Sequence, residues 1–235
     1  NQDLVRIGIA NSDTHDRRFT RVSARTLIAS DTQDPGQLAS EAETLAEAVL
    51  AGKAIGTNAP FLLLAAAGSF NGVEQQAGLR LSDSVSMSSD SNGDIVLTAT
   101  VQTAAWAQID TLDFYINNQP ELTTPPNRAA RYGVCADTTI GAGDPGWEQV
   151  EVVINEAVAG ASRTEITATL TLEGLIKDTW VVAMARGSDG VSEPLFPVLP
   201  ASLNENSNAT LADLTDGNLG EGGIPAFAFT NPIFI

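Results

Sequence analysis

The chain has one cysteine and one histidine among its 235 residues. Cys135 therefore has no partner for an intrachain disulfide, and the fold depends on its hydrophobic core rather than on a cystine framework. Cys135 also lacks a second histidine or a nearby basic cluster to favour its thiolate, which argues against a nucleophile. His15 is the only imidazole, so the chain by itself cannot complete a histidine-rich multinuclear metal centre.

Basic residues and long apolar runs are also scarce. The chain has 12 Lys and Arg against 29 Asp and Glu, for a formal net charge of -17. Such a chain repels the phosphates of nucleic acids, which proteins bind largely through Lys and Arg, and it repels anionic membrane surfaces. No run approaches the ~20 apolar residues of a membrane-spanning helix. We therefore predict no nucleic-acid partner and no membrane insertion.

The remaining composition is that of a globular chain, with 43% hydrophobic and 17% charged residues. The opening NQDLVRIGIA has neither a basic region nor a small-residue cleavage site, so we do not interpret it as a signal peptide. Its run LVRIGIA (residues 4 to 10) instead predicts a buried strand that leads into a polar loop.

The clearest helix pattern follows the Pro-Gly turn at residues 35 and 36. Ser40 is predicted as the N-cap, and Glu43 three residues later completes a capping box. Gly52 stands where the glycine after a helix is expected. The apolar stripe predicted at helical spacing consists of Leu45, Ala46, Val49 and Leu50.

From residue 70 onward the helix patterns disappear, and runs with β-propensity alternate with turn residues. One face of the run from 94 to 101 carries Ile95, Leu97, Ala99 and Val101. The apolar positions of the run from 164 to 174 are Ile166, Ala168, Leu170 and Leu172, in alternation with threonines. This period of two predicts an antiparallel β-sandwich in which one face of each sheet meets water.

The run LVRIGIA leads into the pentapeptide NSDTH, which contains Asp13 and His15. Carboxylate oxygen and imidazole nitrogen are the ligand types of hydrolytic Zn, Mn or Fe centres. Two ligands separated by one residue after a strand can point into one pocket, at the edge where α/β barrels place their chemistry. Taken alone, the pair favours the alternative of a surface turn in which Asp13 accepts a backbone hydrogen bond and His15 is solvated.

The blocks around this motif resemble one family. The runs GIANSDTH, RRFTRVSARTLIAS and LAEAVLAGKAIGTNAPFLLLAAAG follow one another as in the closing segment of PHP-domain (polymerase and histidinol phosphatase) metallohydrolases of the carbaryl-hydrolase-like branch. The later runs AWAQIDTLDFYINN, TWVVAMARGSDG and AFAFTNPIFI resemble the β-sandwich that often follows in that branch. The likeness covers nearly the whole chain, and the order of the blocks is more specific than any single motif.

The resemblance implies a mainly β fold, with an antiparallel, Ig-like β-sandwich preceded by a partial α/β segment of a PHP barrel that contains one clear helix. Residues 1–68 would close the PHP-like α/β domain, and residues 69–200 would form the sandwich. Residues 201–235 would form an acidic, Gly-rich tail that ends in an apolar, strand-like segment. Asp13 and His15 correspond to the last metal-ligand pair of the family. The other ligands of the family precede this segment, so they would come from an upstream portion or a partner chain.

The chain departs from the family at Thr57-Asn58-Ala59, where Ser-Asn-Gly is usual. An alanine at a position with positive φ would be strained, so we expect a different turn geometry here.

Two acidic stretches carry part of a calcium pattern. Asp90, Asn92 and Asp94 alternate as at the start of an EF-hand loop, but Val101 stands where that loop requires a glutamate. A hairpin turn is therefore favoured over a calcium site. The second stretch contains Asp213, Asp216, Asn218 and Glu221 without a recognised spacing.

The aromatic residues suggest one further candidate site, a carbohydrate-binding face. Its candidate residues are Trp106, Trp147, Trp180 and Tyr115. Packing into the sandwich core is the favoured alternative, because large rings bury much apolar surface.

Two functions from different classes follow. The first is the carboxy-terminal part of a secreted, periplasmic or cell-surface hydrolase that cleaves esters or phosphoesters with a divalent metal, and is inactive without its upstream portion. The second is an extracellular structural or adhesive β-sandwich subunit that forms homo-oligomers by strand exchange through its termini. The apolar run AFAFTNPIFI supports the second hypothesis, because it can add to the sheet edge of another chain.

Overall fold

The computed structural model describes residues 7–10, 24–32, 34–90, 94–104, 107, 109, 111–117, 130–133, 153–156, 163–173, 175, 178–187 and 226–235. The helices in this part of the chain are α1 (Pro35–Ser40) and α2 (Ala42–Leu50). The strands are β1 (Arg25–Ile28), β2 (Ala54–Thr57), β3 (Phe61–Phe70), β4 (Val73–Gly78), β5 (Ile95–Ala104), β6 (Thr111–Ile116), β7 (Ala130–Gly133), β8 (Val153–Glu156), β9 (Arg163–Leu172), β10 (Trp180–Arg186), β11 (Phe227–Thr230) and β12 (Ile233–Phe234).

The fold is mainly β, and its strands pair antiparallel, as the sequence predicts. The first sheet has the order β1-β2-β11-β10-β6-β7, with β12 also paired to β10. The second sheet has the order β4-β3-β5-β9-β8. Neighbouring strands in both sheets are antiparallel. Some of these neighbours are far apart in the chain, such as β2 and β11.

The alternation predicted for β5 and β9 is confirmed. Ile95, Leu97, Ala99 and Val101 are all fully buried. Ile166, Ala168 and Leu170 are buried opposite them, while Leu172 is partly buried against the same cluster. The threonines between these residues project to the other face, where they are half-buried or exposed.

The two sheets share a single hydrophobic core. Leu62 and Leu64 of β3 contribute from the second sheet, and Leu112, Phe114 and Val181 contribute from the first. All five side chains are almost completely inaccessible to solvent. Burial of this apolar surface is the main force that holds the two sheets together.

The outer face of the first sheet is also buried along β6 and β10, contrary to a simple pattern with one wet face. Leu112 and Phe114 point into the core, so the residues between and after them, Asp113 and Tyr115, belong to the opposite face. Both are almost completely inaccessible to solvent, and Met184, which lies beside Asp113 on β10, is also buried. The first sheet is therefore covered on both sides at these strands.

Residues on either side of position 68 contribute to both sheets. β1 and β2 lie in the first sheet with β10 and β11, whereas β3 runs across position 68 in the second sheet. The chain passes from one sheet to the other in the turn between β2 and β3.

The hydroxyl of Thr57 organises this turn. It donates to the carbonyl of Pro60 and accepts from the backbone N–H of Ala59 at 3.0 Å. The non-glycine residues with positive φ in the described part of the chain are Asn71 and Asn117. Ala59 is therefore free of the strain that the departure from Ser-Asn-Gly would impose on a left-handed residue.

The helical region begins earlier than predicted, and Ser40 is not its N-cap. Asp34 caps α1, because its Oδ1 accepts from the N–H of Gly36 at 2.7 Å and Pro35 occupies the first helical position. The Ser40 hydroxyl instead donates to the carbonyl of Gln37 at 2.7 Å. The helix that corresponds to the prediction is α2, whose N-cap residue is Glu41 without a side-chain hydrogen bond, so the predicted capping box does not form.

The α2 helix otherwise matches its prediction in part. Gly52 follows it with a φ of +78°, as expected of a glycine after a helix. Its buried position is Ala48, and Leu45 and Val49 are half-buried, whereas Leu50 is 78% exposed. The apolar face is thus rotated from the predicted stripe.

Candidate functional site

The candidate metal ligands Asp13 and His15 lie outside the described residues, and so does Cys135. The structure does describe the two segments that flank the motif, residues 7–10 before it and β1 after it. The contacts of these two flanking segments are therefore the structural observations that bear on the candidate site.

The first anchor of the flanking segment is the buried side-chain amide of Asn231. Its Oδ1 accepts from the N–H of Gly8 at 2.6 Å. Its Nδ2 donates to the carbonyl of Gly8 at 3.2 Å and to that of Ala54 at 2.8 Å. The Asn231 amide thus bonds both backbone groups of Gly8, as a neighbouring strand would. It joins this segment to the start of β2 and to the link between β11 and β12.

The second anchor is Thr26 on β1, which bonds both backbone groups of Ala10. The Thr26 hydroxyl accepts from the N–H of Ala10 at 3.0 Å and donates to its carbonyl at 2.8 Å. Ala10 immediately precedes the NSDTH pentapeptide, and Thr26 lies just after the start of β1. The described residues on the two sides of the motif are therefore joined to each other through Ala10 and Thr26.

Two glycines allow these segments to lie against the ring of Phe229. A Cβ on Gly8 would lie 2.8 Å from Cε2 of that ring, and a Cβ on Gly56 would overlap the same ring more severely. Gly56 is the direct partner of Phe229 in the register of β2 and β11. Phe229 also contacts Phe227, with ring centroids 5.8 Å apart. The flank of the motif therefore packs on an aromatic face that only glycine can approach this closely.

The calcium candidate at Asp90 has a structural role instead. One carboxylate oxygen accepts from the N–H of Asn71 at 2.8 Å, and the other lies 3.4 Å from the Ser69 hydroxyl. Asn71 has a φ of +53°, so Asp90 stabilises the left-handed turn between β3 and β4. The described strands on either side of this stretch, β4 and β5, each pair with β3 and not with each other, so they do not form the predicted hairpin. Asn92 lies outside the described residues.

The other candidates give little support to a ligand site. Within the part of the chain that the structure describes, no three His, Cys, Asp or Glu side chains are grouped closely enough to hold a metal ion. Tyr115 is 1% exposed, so its ring cannot offer a stacking face to a sugar. Trp180 is half-buried at the start of β10. The candidates outside the described residues are Trp106, Trp147, Asp213, Asp216, Asn218 and Glu221.

An ion pair on the outer face of the first sheet, between a buried carboxylate and a partly buried guanidinium, was missed from the sequence. Nη2 of Arg186 lies 3.0 Å from Oδ2 of Asp113, whose side chain is completely buried. The Arg186 Nε is buried without a hydrogen-bond partner in the described structure. The sequence signal for it was Asp113 itself, which stands between the apolar residues of IDTLDFYIN. In a sheet with one solvent-exposed face, an aspartate at this position is expected to lie in solvent.

No helix in the ranges that the structure describes combines the length and the hydropathy needed to cross a membrane. Comparison with known proteins gave no match to a family model, to a curated protein or to a solved structure.

Proposed function

We propose that the chain is the carboxy-terminal part of a metal-dependent hydrolase of esters or phosphoesters, in a secreted, periplasmic or cell-surface protein. In this proposal the segment that carries Asp13 and His15 belongs to a PHP-like α/β portion, and the two sheets, with β1, β2 and β3 among their strands, form an Ig-like sandwich that supports it. The observation that carries the proposal is the pair of hydrogen bonds between Thr26 and Ala10. They hold the residue that directly precedes the motif, as a ligand-bearing loop requires.

Asp13 would bind the metal through its carboxylate and His15 through an imidazole nitrogen. A divalent metal would supply Lewis-acid chemistry, by lowering the pKa of a bound water and polarising the scissile bond. The chain itself would contribute orientation, because Asn231 and Thr26 fix the segment before the motif to the sheet. The remaining ligands would come from an upstream portion or a partner chain, since the sequence has only one histidine.

The test uses the full-length protein and measures both metal content and hydrolysis of a nitrophenyl ester and a nitrophenyl phosphate. We expect His15→Ala and Asp13→Asn to lower activity by at least ~100-fold, more than the loss of an outer-shell partner would cause. Asp16→Asn is the matched control, because it removes a neighbouring carboxylate outside the ligand pair. A metal-free wild-type protein, or equal activity in all three variants, would contradict the proposal.

The second candidate function is the adhesive or structural subunit. In this candidate the strand exchange cannot use the terminal run, as the sequence analysis expected, and needs another sheet edge. The apolar terminal run pairs inside its own chain, because β11 lies between β2 and β10. β1 is one of the strands that end the sheet orders and exposes 37% of Ile28, so in this candidate a second copy would add a strand at such an edge. Sedimentation velocity at rising protein concentration tests this candidate, and a monomer throughout would exclude it.

A further inference from the structure

A cavity of about 460 Å³ opens at the side of the sandwich where the chain passes from the first sheet to the second. Its apolar lining consists of Leu27, Ile28, Ala29, Ala54, Ile55, Phe61, Leu63, Leu79 and Leu81. Its polar lining consists of Ser30, Thr32, Lys53 and Arg80. The volume lies within the ~300–1,000 Å³ of typical small-molecule sites, which are also mainly apolar with a few polar groups.

The cavity walls belong to well-packed parts of the fold. Ile55 and Leu79 are buried members of the hydrophobic core, and Leu27 and Phe61 pack against that core. The ammonium of Lys53 donates to the carbonyl of Leu81, which joins the residue before β2 to the segment after β4. The site is therefore largely formed before any ligand enters.

The charge of the lining is opposite to that of the whole molecule. Lys53 and Arg80 line the cavity, and no Asp or Glu does so, although the chain as a whole carries a net charge of -17. Neither cation forms an ion pair with a carboxylate in the described part of the structure, and Arg80 is exposed at the surface. One ammonium hydrogen of Lys53 is used by Leu81, so two are available to a ligand.

We propose that this cavity binds an amphiphilic carboxylate, with its apolar body against the leucine and phenylalanine side chains and its carboxylate between Lys53 and Arg80. Charge-assisted hydrogen bonds from an ammonium and a guanidinium favour a carboxylate head over an uncharged one. A body of about ten carbons suits a site of this volume and composition. The proposal is independent of the metal site, because neither the cavity nor its test involves Asp13 or His15.

The test is isothermal titration calorimetry of the full chain with decanoate below its micellar range, with decanol and decyltrimethylammonium as probes of the same chain length. We expect decanoate to bind and the Kd for decanol to be about tenfold weaker or more, because decanol cannot form the charge-assisted bonds. The cationic probe should not bind. Equal affinity for decanoate and decanol would overturn the proposal.

The variants Lys53→Gln and Arg80→Gln each remove one cation while keeping a polar side chain of similar reach. We expect each to weaken decanoate binding about threefold to tenfold, and the double variant to weaken it further. Arg25→Gln on β1 is the matched control, because Arg25 is exposed and does not line the cavity. An unchanged Kd in the double variant, or an equal loss in the control, would overturn the proposal.

A measurement on the unmodified protein removes any dependence on how the variants fold. Backbone amide shifts in the NMR spectrum should change on addition of decanoate at residues 27–30, 32, 53–55 and 79–81, which line the cavity. Shift changes confined to the distant β4–β3 turn at residues 70–73, or spread evenly over the chain, would overturn the assignment.

Discussion

At the scale of single residues, the side-chain amide of Asn231 is a buried connection between segments that lie 223 positions apart in the chain. Substitution with alanine would leave the N–H of Gly8 and the carbonyl of Ala54 without this partner. We expect Asn231→Ala to lower the free energy of unfolding by about 2–3 kcal/mol, because unsatisfied buried groups cost ~1–3 kcal/mol each. Urea denaturation measures the change.

The exposed Gln76→Ala on β4 provides the control, and it should stay within ~0.5 kcal/mol of the wild type. Asn231→Asp should destabilise at least as much as the alanine variant, because a carboxylate cannot donate to the carbonyls of Gly8 and Ala54. Wild-type stability in Asn231→Asp would show that the amide donors are not needed.

A second residue-scale expectation concerns Gly56 and the ring of Phe229. A methyl group on Gly56 would overlap this ring, so we expect Gly56→Ala to cost about 1–3 kcal/mol of stability, as overpacking does. The double variant Gly56→Ala/Phe229→Ala should lose less than the sum of the single losses, because the clash disappears with the ring. Strict additivity in urea denaturation of the four proteins would contradict this contact.

At the scale of elements, the helical region offers a matched pair of capping variants. Asp34 bonds the N–H of Gly36, whereas Ser40 bonds a carbonyl within α1. We expect Asp34→Ala to lower stability by about 0.5–1 kcal/mol, as loss of an N-cap does, and Ser40→Ala to change it by less. Thermal unfolding followed by circular dichroism compares the two. A larger loss in Ser40→Ala than in Asp34→Ala would contradict the capping role of Asp34.

The terminal strands give the strongest expectation at this scale. β11 pairs with β2 on one side and with β10 on the other, and β12 pairs with β10. Removal of residues 226–235 would separate β2 from β10 and expose the core around Ala228. We expect the truncated protein to lose its cooperative unfolding transition and to bind a hydrophobic dye. A cooperative transition at the original temperature would contradict the pairing.

The same elements show what a sequence can and cannot specify. The alternation in β5 and β9 was predicted because each strand buries one face locally, at Leu97 and Ala168 for example. The partners of the terminal run were not predicted, because strand pairing over more than 170 residues leaves no local pattern. The cap at Asp34 was missed because the sequence pattern predicted one helix after Ser40, whereas the chain forms the short α1 before it and starts α2 after Glu41.

The candidate site was predictable to a smaller extent. Asp13 and His15 follow from residue type and resemblance, and they stay predictions because they lie outside the described residues. The anchors Thr26 and Asn231 are ordinary polar residues in the sequence, and their role depends on contacts that arise only in the folded chain. Asp113 was missed because the sequence analysis expected one face of each sheet to be exposed to solvent, whereas the first sheet is covered on both faces at Asp113.

At the scale of the whole molecule, the excess of acidic residues opposes the compact state. A formal net charge of -17 on 235 residues produces self-repulsion in the native state that decreases as the chain expands. Salt screens this repulsion, because the Debye length falls from ~30 Å at 0.01 M to ~8 Å at 0.15 M. We expect the Tm to rise by about 2–5 °C over that range of sodium chloride, which corresponds to roughly 1 kcal/mol for a chain of this size.

Scanning calorimetry at several salt concentrations measures this shift, and choline chloride at equal ionic strength is the control. Screening depends on ionic strength and not on the identity of a monovalent cation, so both salts should give the same increase. Calcium at a concentration too low to change the ionic strength should leave the Tm unchanged. A rise in the Tm would instead indicate calcium binding at one of the two acidic stretches, which begin at Asp90 and at Asp213. A Tm that falls with monovalent salt would mean that attractive ion pairs, such as that of Asp113 with Arg186, outweigh the general repulsion.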